Sequence, residues 1–171
     1  MSDPAAGRLA SDLVTIEIAK EAMNFSAAHF TIFTATERED LHGHNWRVAC
    51  EVTAPVDENG LCFDYNIVKR RLKALVDGLD EKVLLPGSSP WLTVEQDGDW
   101  VIARYADERI PFLPRDVLVI DVRNVSVEEL AGWFVTRLLA EEEIRAEDVR
   151  GLRVGVSSGT NQWGWREWRA S

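Results

Sequence analysis

Cysteine is nearly absent, with Cys50 and Cys62 the only two in 171 residues. Their spacing fits no Cys-x-x-Cys site, and both lie in apolar, strand-like runs. A disulfide framework is therefore not expected, and a reducing, cytoplasmic location is. Positive charge is short as well. Lys and Arg number 19 against 29 Asp and Glu, a net charge of −10 and a pI near 4.8. That balance argues against nucleic acid or an anionic membrane as partner, and leaves room for a local basic pocket that takes a phosphorylated small molecule. No apolar run approaches the ~20 residues of a membrane span. The opening MSDPAAGRLASDL also lacks the basic and apolar regions of a signal peptide. Tryptophan, in contrast, is plentiful: four of the seven (Trp133, Trp163, Trp165 and Trp168) fall near the end, which points to a well-anchored C-terminal element.

Residues 1–12 are small and polar and read as a mobile N-terminal arm, and residues 13–171 as one domain without internal repeats. LVTIEIAKEAMNF alternates in its first half, as a half-buried strand does. SAAHFTIFTATERED loses that alternation and reads as a loop. NWRVACEVTAPV resumes a strand, Asn59-Gly60 signals a hairpin turn, and LCFDY reads as the returning strand. Ile67, Val68, Leu72, Leu75, Val76 and Leu79 then recur at helical spacing, with Asp64 or Asn66 as the cap. After the breaking stretch LPGSSP, WLTVEQDGDWVIARY reads as a hairpin around Asp97-Gly98. The stretch 106–115, with Pro111 and Pro114, reads as a loop ahead of the strand VLVID. Ser126 and Glu129 carry the signature of a capping box for a second helix. GLRVGVSS and NQWGWREW close the chain as two strands joined by a tight turn at Gly159. The order makes an α+β domain with antiparallel pairing, and about 86–116 reads as an insertion.

All three histidines lie between positions 29 and 44. On a strand, His42 and His44 at i and i+2 project to one face. A loop returning past them could add His29, and three protein ligands with one open position is the usual arrangement of catalytic zinc. Gly43 between the pair lets backbone and ligand approach closely. Spacing alone does not separate such a site from ordinary surface or core histidines.

FSAAH, LHGHNW and NGLCFDYNIVKRRL together resemble the 6-pyruvoyl-tetrahydropterin synthase / 6-carboxytetrahydropterin synthase family. Its pattern runs F-x-A-A-H, L-H-G-H-N/S and G-x-x-x-D-F before a helix. LDEKVL is similar to its L-D-H-x-x-L, and VSVEELAGWF to its P-T-x-E-x-L-A-x-W. The resemblance runs in order over most of the chain. It implies a T-fold, an antiparallel sheet with two helices packed on one face, here with an inserted β-hairpin. It also implies Zn2+ on His29, His42 and His44, polarising the side-chain oxygens of 7,8-dihydroneopterin triphosphate or a related pterin as a Lewis acid. The expectation is a cytoplasmic, zinc-dependent lyase that assembles as a homo-oligomer, trimer or hexamer, with sites between subunits.

Three functional positions depart from the pattern. The family's proton-transferring cysteine falls at Arg38. Glu37 and Glu39 flank it, and some branches use glutamate, so each is a candidate catalytic base; the alternative is a solvated acidic loop. Of the supporting Asp-His pair, Asp80 is kept and the histidine is Glu81. These two are candidate acid–base groups or simply the end of the first helix. The pterin-anchoring glutamate falls at Val156-Ser157 or Ser157-Ser158, where a serine offers one hydrogen bond in place of two charge-assisted ones. Three readings stand: a family-type zinc lyase, a zinc enzyme with a different small-molecule substrate, and a non-catalytic protein in which zinc orders residues 29–44.

Overall fold

A computed structural model describes residues 12–171, so the arm expected over 1–12 lies, apart from Asp12, outside the described residues. The elements in chain order are β1 (Leu13–Ile18), β2 (Asn24–His29), β3 (His42–Pro55), α1 (Asn66–Leu79), β4 (Lys82–Pro86), β5 (Leu92–Asp97) and β6 (Trp100–Tyr105). After these come β7 (Glu108–Phe112), β8 (Val117–Ile120), α2 (Val127–Ala140), the single turn α3 (Glu142–Arg145), β9 (Gly151–Gly159) and β10 (Gln162–Arg169).

The long strand β3 is the spine. Along one edge it pairs with β1 over Cys50–Pro55 and with β2 over His42–Arg47; along the other it pairs with β9. The main sheet runs β10-β9-β3-β2-β4-β8. Its centre is antiparallel, while β2–β4 and β4–β8 are parallel, so the antiparallel sheet carries a parallel flank. β8 is reached from β4 by a long excursion, and a crossover of that kind delivers a strand parallel to its neighbour. The excursion itself forms a separate three-stranded sheet, β5-β6-β7.

Several expectations change. The loop expected from SAAHFTIFTATERED is strand over its first four residues, because β2 extends to His29 with Phe25, Ala27 and His29 buried. Ser26, Ala27 and Ala28 are too small to show hydrophobic contrast, so the alternation is silent in sequence. The Asn59-Gly60 turn forms, with Gly60 at φ 77° and the Asp57 carboxylate accepting the amides of Asn59 and Leu61. LCFDY nevertheless forms no returning strand. Both edges of β3 beside it are already occupied, by β1 and β9. The hairpin at Asp97-Gly98 forms, and a third strand, β7, replaces part of the loop expected over 106–115. Pro111 is tolerated there because β7 is an edge strand.

Helix caps are also only half as expected. Asp64 accepts the Asn66 amide, but the cap residue is Tyr65, without a side-chain bond. Ser126 accepts the Glu129 amide. The Glu129 carboxylate does not return the bond; it takes the Arg123 amide and guanidinium instead.

The apolar stripes of α1 (Val68, Leu72, Val76, Leu79) and α2 (Leu130, Phe134, Leu138) cover one face of the main sheet and are buried there. A second, smaller core of Phe30, Ile32, Leu85, Leu92, Ala103 and Tyr105 joins the three-stranded sheet to the ends of β2 and β4. At Gly164 on β10 an added Cβ would stand 2.9 Å from backbone and side chain of Val127, so α2 and β10 meet there backbone to backbone. Gly164→Ala should therefore destabilise the protein by about 1–3 kcal/mol, the usual cost of overpacking. Urea unfolding would show it as a lower midpoint at unchanged slope; an unchanged midpoint would mean that α2 gives way freely.

Candidate functional site

Strand pairing builds the site. In the β2–β3 register His29 lies opposite His42, and His44 lies opposite Ala27. Alternation then turns all three imidazoles to one side. His29 therefore arrives on a paired strand, where a returning loop had been expected. Ring centroids of His29 lie 4.7 Å from His42 and 5.2 Å from His44, and His42 lies 4.7 Å from His44. Trp46, the next inward residue of β3, forms the floor. It stacks on Phe25 at 5.9 Å, donates its indole N–H to the Ala27 carbonyl at 3.2 Å, and meets the His29 ring edge-on at 4.9 Å.

Hydrogen bonding sets the imidazole tautomers. His29 Nδ1 lies 2.8 Å from the Val125 carbonyl, and His42 Nδ1 lies 2.8 Å from the Asp40 carbonyl. A carbonyl only accepts, so both Nδ1 atoms carry the proton and both Nε2 atoms present a lone pair. His42 Nε2 and His44 Nε2 stand 3.0 Å apart. His29 Nε2 is buried with no hydrogen-bond partner among the described residues, in a residue only 4% exposed. Leaving such an atom unsatisfied costs about 1–3 kcal/mol. One potential ligand atom from each histidine lies within 4.8 Å of the others. Nitrogens about 2.0–2.1 Å from a tetrahedral ion stand roughly 3.3 Å apart, so three imidazoles at this spacing suit one small cation. Burial, opposed by the Val125 bond and reinforced by the neighbouring histidines, lowers the His29 pKa to about 4; burial and His42 lower that of His44 too.

The candidate carboxylates separate. Glu39 Oε2 lies 4.0 Å from His42 Nε2 and accepts the Thr31 amide at 3.0 Å. Hydrogen bonding from Thr31, its side chain foremost, holds the Glu39 carboxyl below the usual carboxylate range. Glu37 is exposed, and its contribution is its carbonyl, which accepts the amides of Phe33 and Thr34 in a turn. Asp80 accepts the Ser26 amide at 2.7 Å, and the Glu81 amide donates to the Ser26 carbonyl at 2.7 Å, so the pair ties the end of α1 to β2. Glu81 also lines an open hollow of about 440 Å³ together with Ser26, Gly43, His44, Asn45 and Asp116. Ser157 is fully buried, with its hydroxyl donating to the Gly159 carbonyl at 2.5 Å. Burial pushes the Cys50 thiol up to about 12, and it lies among core residues. The carbonyls of Val125 and Asp40 and the Thr31 amide escaped the sequence reading, because backbone groups leave no mark in the residue pattern.

A curled sheet backed by helices, with a three-histidine cluster on its central strand pair, defines a T-fold protein with a site able to hold a metal. The profile of the 6-pyruvoyl tetrahydropterin synthase family matches residues 17–167, and the chain belongs to that family. A Pyrococcus abyssi protein named "Putative 6-carboxy-5,6,7,8-tetrahydropterin synthase" is 33% identical over 133 residues, 77% of this chain and 78% of the relative. The Plasmodium falciparum 6-pyruvoyl tetrahydropterin synthase superposes with a TM-score of 0.84 at 23% identity, covering 92% of this chain and 99% of its own. Plasmodium vivax 6-pyruvoyltetrahydropterin synthase superposes at 0.85, also at 23% identity with the same coverage, in two variants whose glutamate, described as a catalytic residue, is replaced by cysteine or by alanine. No helix among the described residues is long and apolar enough to cross a membrane.

The low pKa of His29 predicts a pH-dependent fold. In the folded chain His29 stays neutral down to about pH 4, whereas unfolded histidine protonates near 6.5. Between those values the unfolded state binds more protons. The stability of chelator-treated protein should thus be complete above about pH 6.5 and decline as pH falls towards 4. Denaturant midpoints across that window would show it; a flat profile would mean that burial does not keep His29 neutral.

Proposed function

We propose that the protein is a zinc-dependent lyase acting on 7,8-dihydroneopterin triphosphate or a related pterin, with Glu39 as the proton-transferring group. The placement of Glu39 carries this reading: it is a carboxylate beside the convergent imidazoles, held by Thr31, in a chain whose family cysteine position is Arg38. The Plasmodium vivax relative, with its catalytic glutamate, supports a carboxylate in that office. His29, His42 and His44 would hold zinc through Nε2, in keeping with the two Nδ1–carbonyl bonds and the unpartnered His29 Nε2. When bound, zinc supplies Lewis-acid polarisation of the substrate's oxygens. Within the chain, Trp46 and Phe25 close the floor beneath the imidazoles, the Thr31 amide holds the Glu39 carboxylate in place, and Glu39 accepts and returns the proton. Glu37 has no part in this scheme.

Assembly as a homo-oligomer, trimer or hexamer, belongs to the same proposal, and would give Asp80 and Glu81 a second setting beside a neighbour's site. The outer edges of β8 and β10, unpaired among the described residues, are consistent with it, as the free thiols Cys50 and Cys62 are with a cytoplasmic location. One observation favours a second reading, a different small-molecule substrate on the same metal. The anchoring glutamate is replaced where Ser157 is buried and already bonded to Gly159, so no carboxylate stands there to hold an amino-pyrimidinone edge.

Zinc-loaded protein given 7,8-dihydroneopterin triphosphate, with products read by mass spectrometry, tests the proposal. His44→Ala should lose both metal and turnover. Glu39→Gln should keep the metal and lose about 10²–10⁴ in kcat, the range for a general acid–base group, while Glu37→Gln keeps both. Wild-type protein full of zinc but without turnover would retire the pterin in favour of another substrate.

A further inference from the structure

The three-stranded sheet β5-β6-β7 grips the segment that leads to Glu39 through Glu108 and Tyr105. Arg38 Nε and Nη2 bind the Glu108 carboxylate on β7 at 2.7 and 2.6 Å, and Nη1 donates to the Glu39 carbonyl at 2.7 Å. Its guanidinium lies 4.8 Å from the centre of the Phe30 ring and 5.9 Å from that of Tyr105 on β6. Tyr105 is buried, and its hydroxyl donates to the Thr34 carbonyl at 2.7 Å. The segment so gripped is a small hairpin. Ile32 bridges Arg38, the Glu39 amide donates to Thr31 at 2.9 Å, and the Phe33 and Thr34 amides donate to Glu37. From the other side Asn124 accepts the Ile32 amide and donates to the Ile32 carbonyl.

We infer that Arg38, with Tyr105 and Glu108, is a positioning device by which the β5-β6-β7 sheet holds the Glu39 carboxylate at the three-histidine site. These ties remove freedom from the segment. A surface hairpin with an exposed tip moves readily unless tied. Glu39 can act on a bound substrate only if its carboxylate stays within hydrogen-bond reach. The ties converge on the residue before it, its own carbonyl and the turn that precedes it. The planar guanidinium can serve carboxylate, carbonyl and two aromatic rings at once because its donors fan out in one plane while its faces stack. Arg38 is bonded to the Glu108 carboxylate and the Glu39 carbonyl, so its role is that of a positioning residue that acts through its neighbour. Lysine could not replace it, having one point charge and no flat face.

This inference rests on the reading of Glu39 as the proton-transferring group, and its test separates the two. In zinc-loaded full-length protein, Arg38→Met, Tyr105→Phe and Glu108→Met should leave zinc content unchanged. Hydrogen exchange at the Glu39 and Thr34 amides should quicken by about tenfold or more, while core amides such as that of Val52 keep their protection. With 7,8-dihydroneopterin triphosphate, kcat should fall about tenfold to a hundredfold, as for a misplaced catalytic group, with KM little changed. The Arg38→Met/Glu108→Met double variant should be no worse than Arg38→Met alone, because the two residues act as one unit. Unchanged exchange, additive losses, or faster exchange at full kcat would each overturn the positioning role. Full turnover by Glu39→Gln would overturn the base assignment and the inference with it. An inactive wild-type protein would retire the pterin reading and leave the exchange data to decide whether the clamp exists.

Discussion

The pairing of β2 with β3 is the constraint on which everything else hangs. His29 opposite His42 and Ala27 opposite His44 bring three imidazoles to one side of the sheet. A slip of one residue would turn the β2 set, with His29, to the opposite face. The register is locked by burial on the same face. Phe25, Ala27 and Trp46 all pack beneath the helices, and the Trp46 indole reaches across to the Ala27 carbonyl. Core and site are thus one arrangement, and the strand order that buries Phe25 also delivers His29.

The site is costly to the fold without a ligand. His29 is buried with one nitrogen satisfied and the other without a partner among the described residues. An unpaired polar atom in the interior is a debit that a cation would convert into a bond. Two backbone carbonyls, from Val125 just ahead of α2 and from Asp40 just ahead of β3, orient the rings. Their placement links the site to α2 and to the hairpin of residues 31–39, elements distant in sequence.

The molecule has two cores with different duties. The larger lies between α1, α2 and the main sheet and contains the floor of the site. The smaller joins β5, β6 and β7 to the ends of β2 and β4, and from it Arg38 and Tyr105 hold the segment that carries Glu39. His42 adjoins that segment through the Asp40 carbonyl, whereas His29 is held from the Val125 carbonyl.

The helical stripes, the Asp97-Gly98 hairpin, the terminal strand pair and the three histidines were legible because each is a local pattern of residue type and spacing, and the family resemblance followed from the same short motifs. What stayed hidden depended on partners far along the chain. The strand character of SAAH needed β3 beside it, and LCFDY has strand-like residues but finds both edges of the adjoining β3 taken by β1 and β9. Glu37 and Glu39 are indistinguishable by type and spacing; a tertiary hydrogen bond to Thr31 and the approach of His42 separate them. Arg38 was visible as a missing cysteine, and only the packing of β6 and β7 against the hairpin gave it Glu108, Phe30 and Tyr105 as neighbours. By itself the sequence determined which chemistry is available, because side-chain type and periodicity are local properties. The tertiary structure decided which of those groups meet, because distance in space depends on strand edges and packing that no short stretch contains.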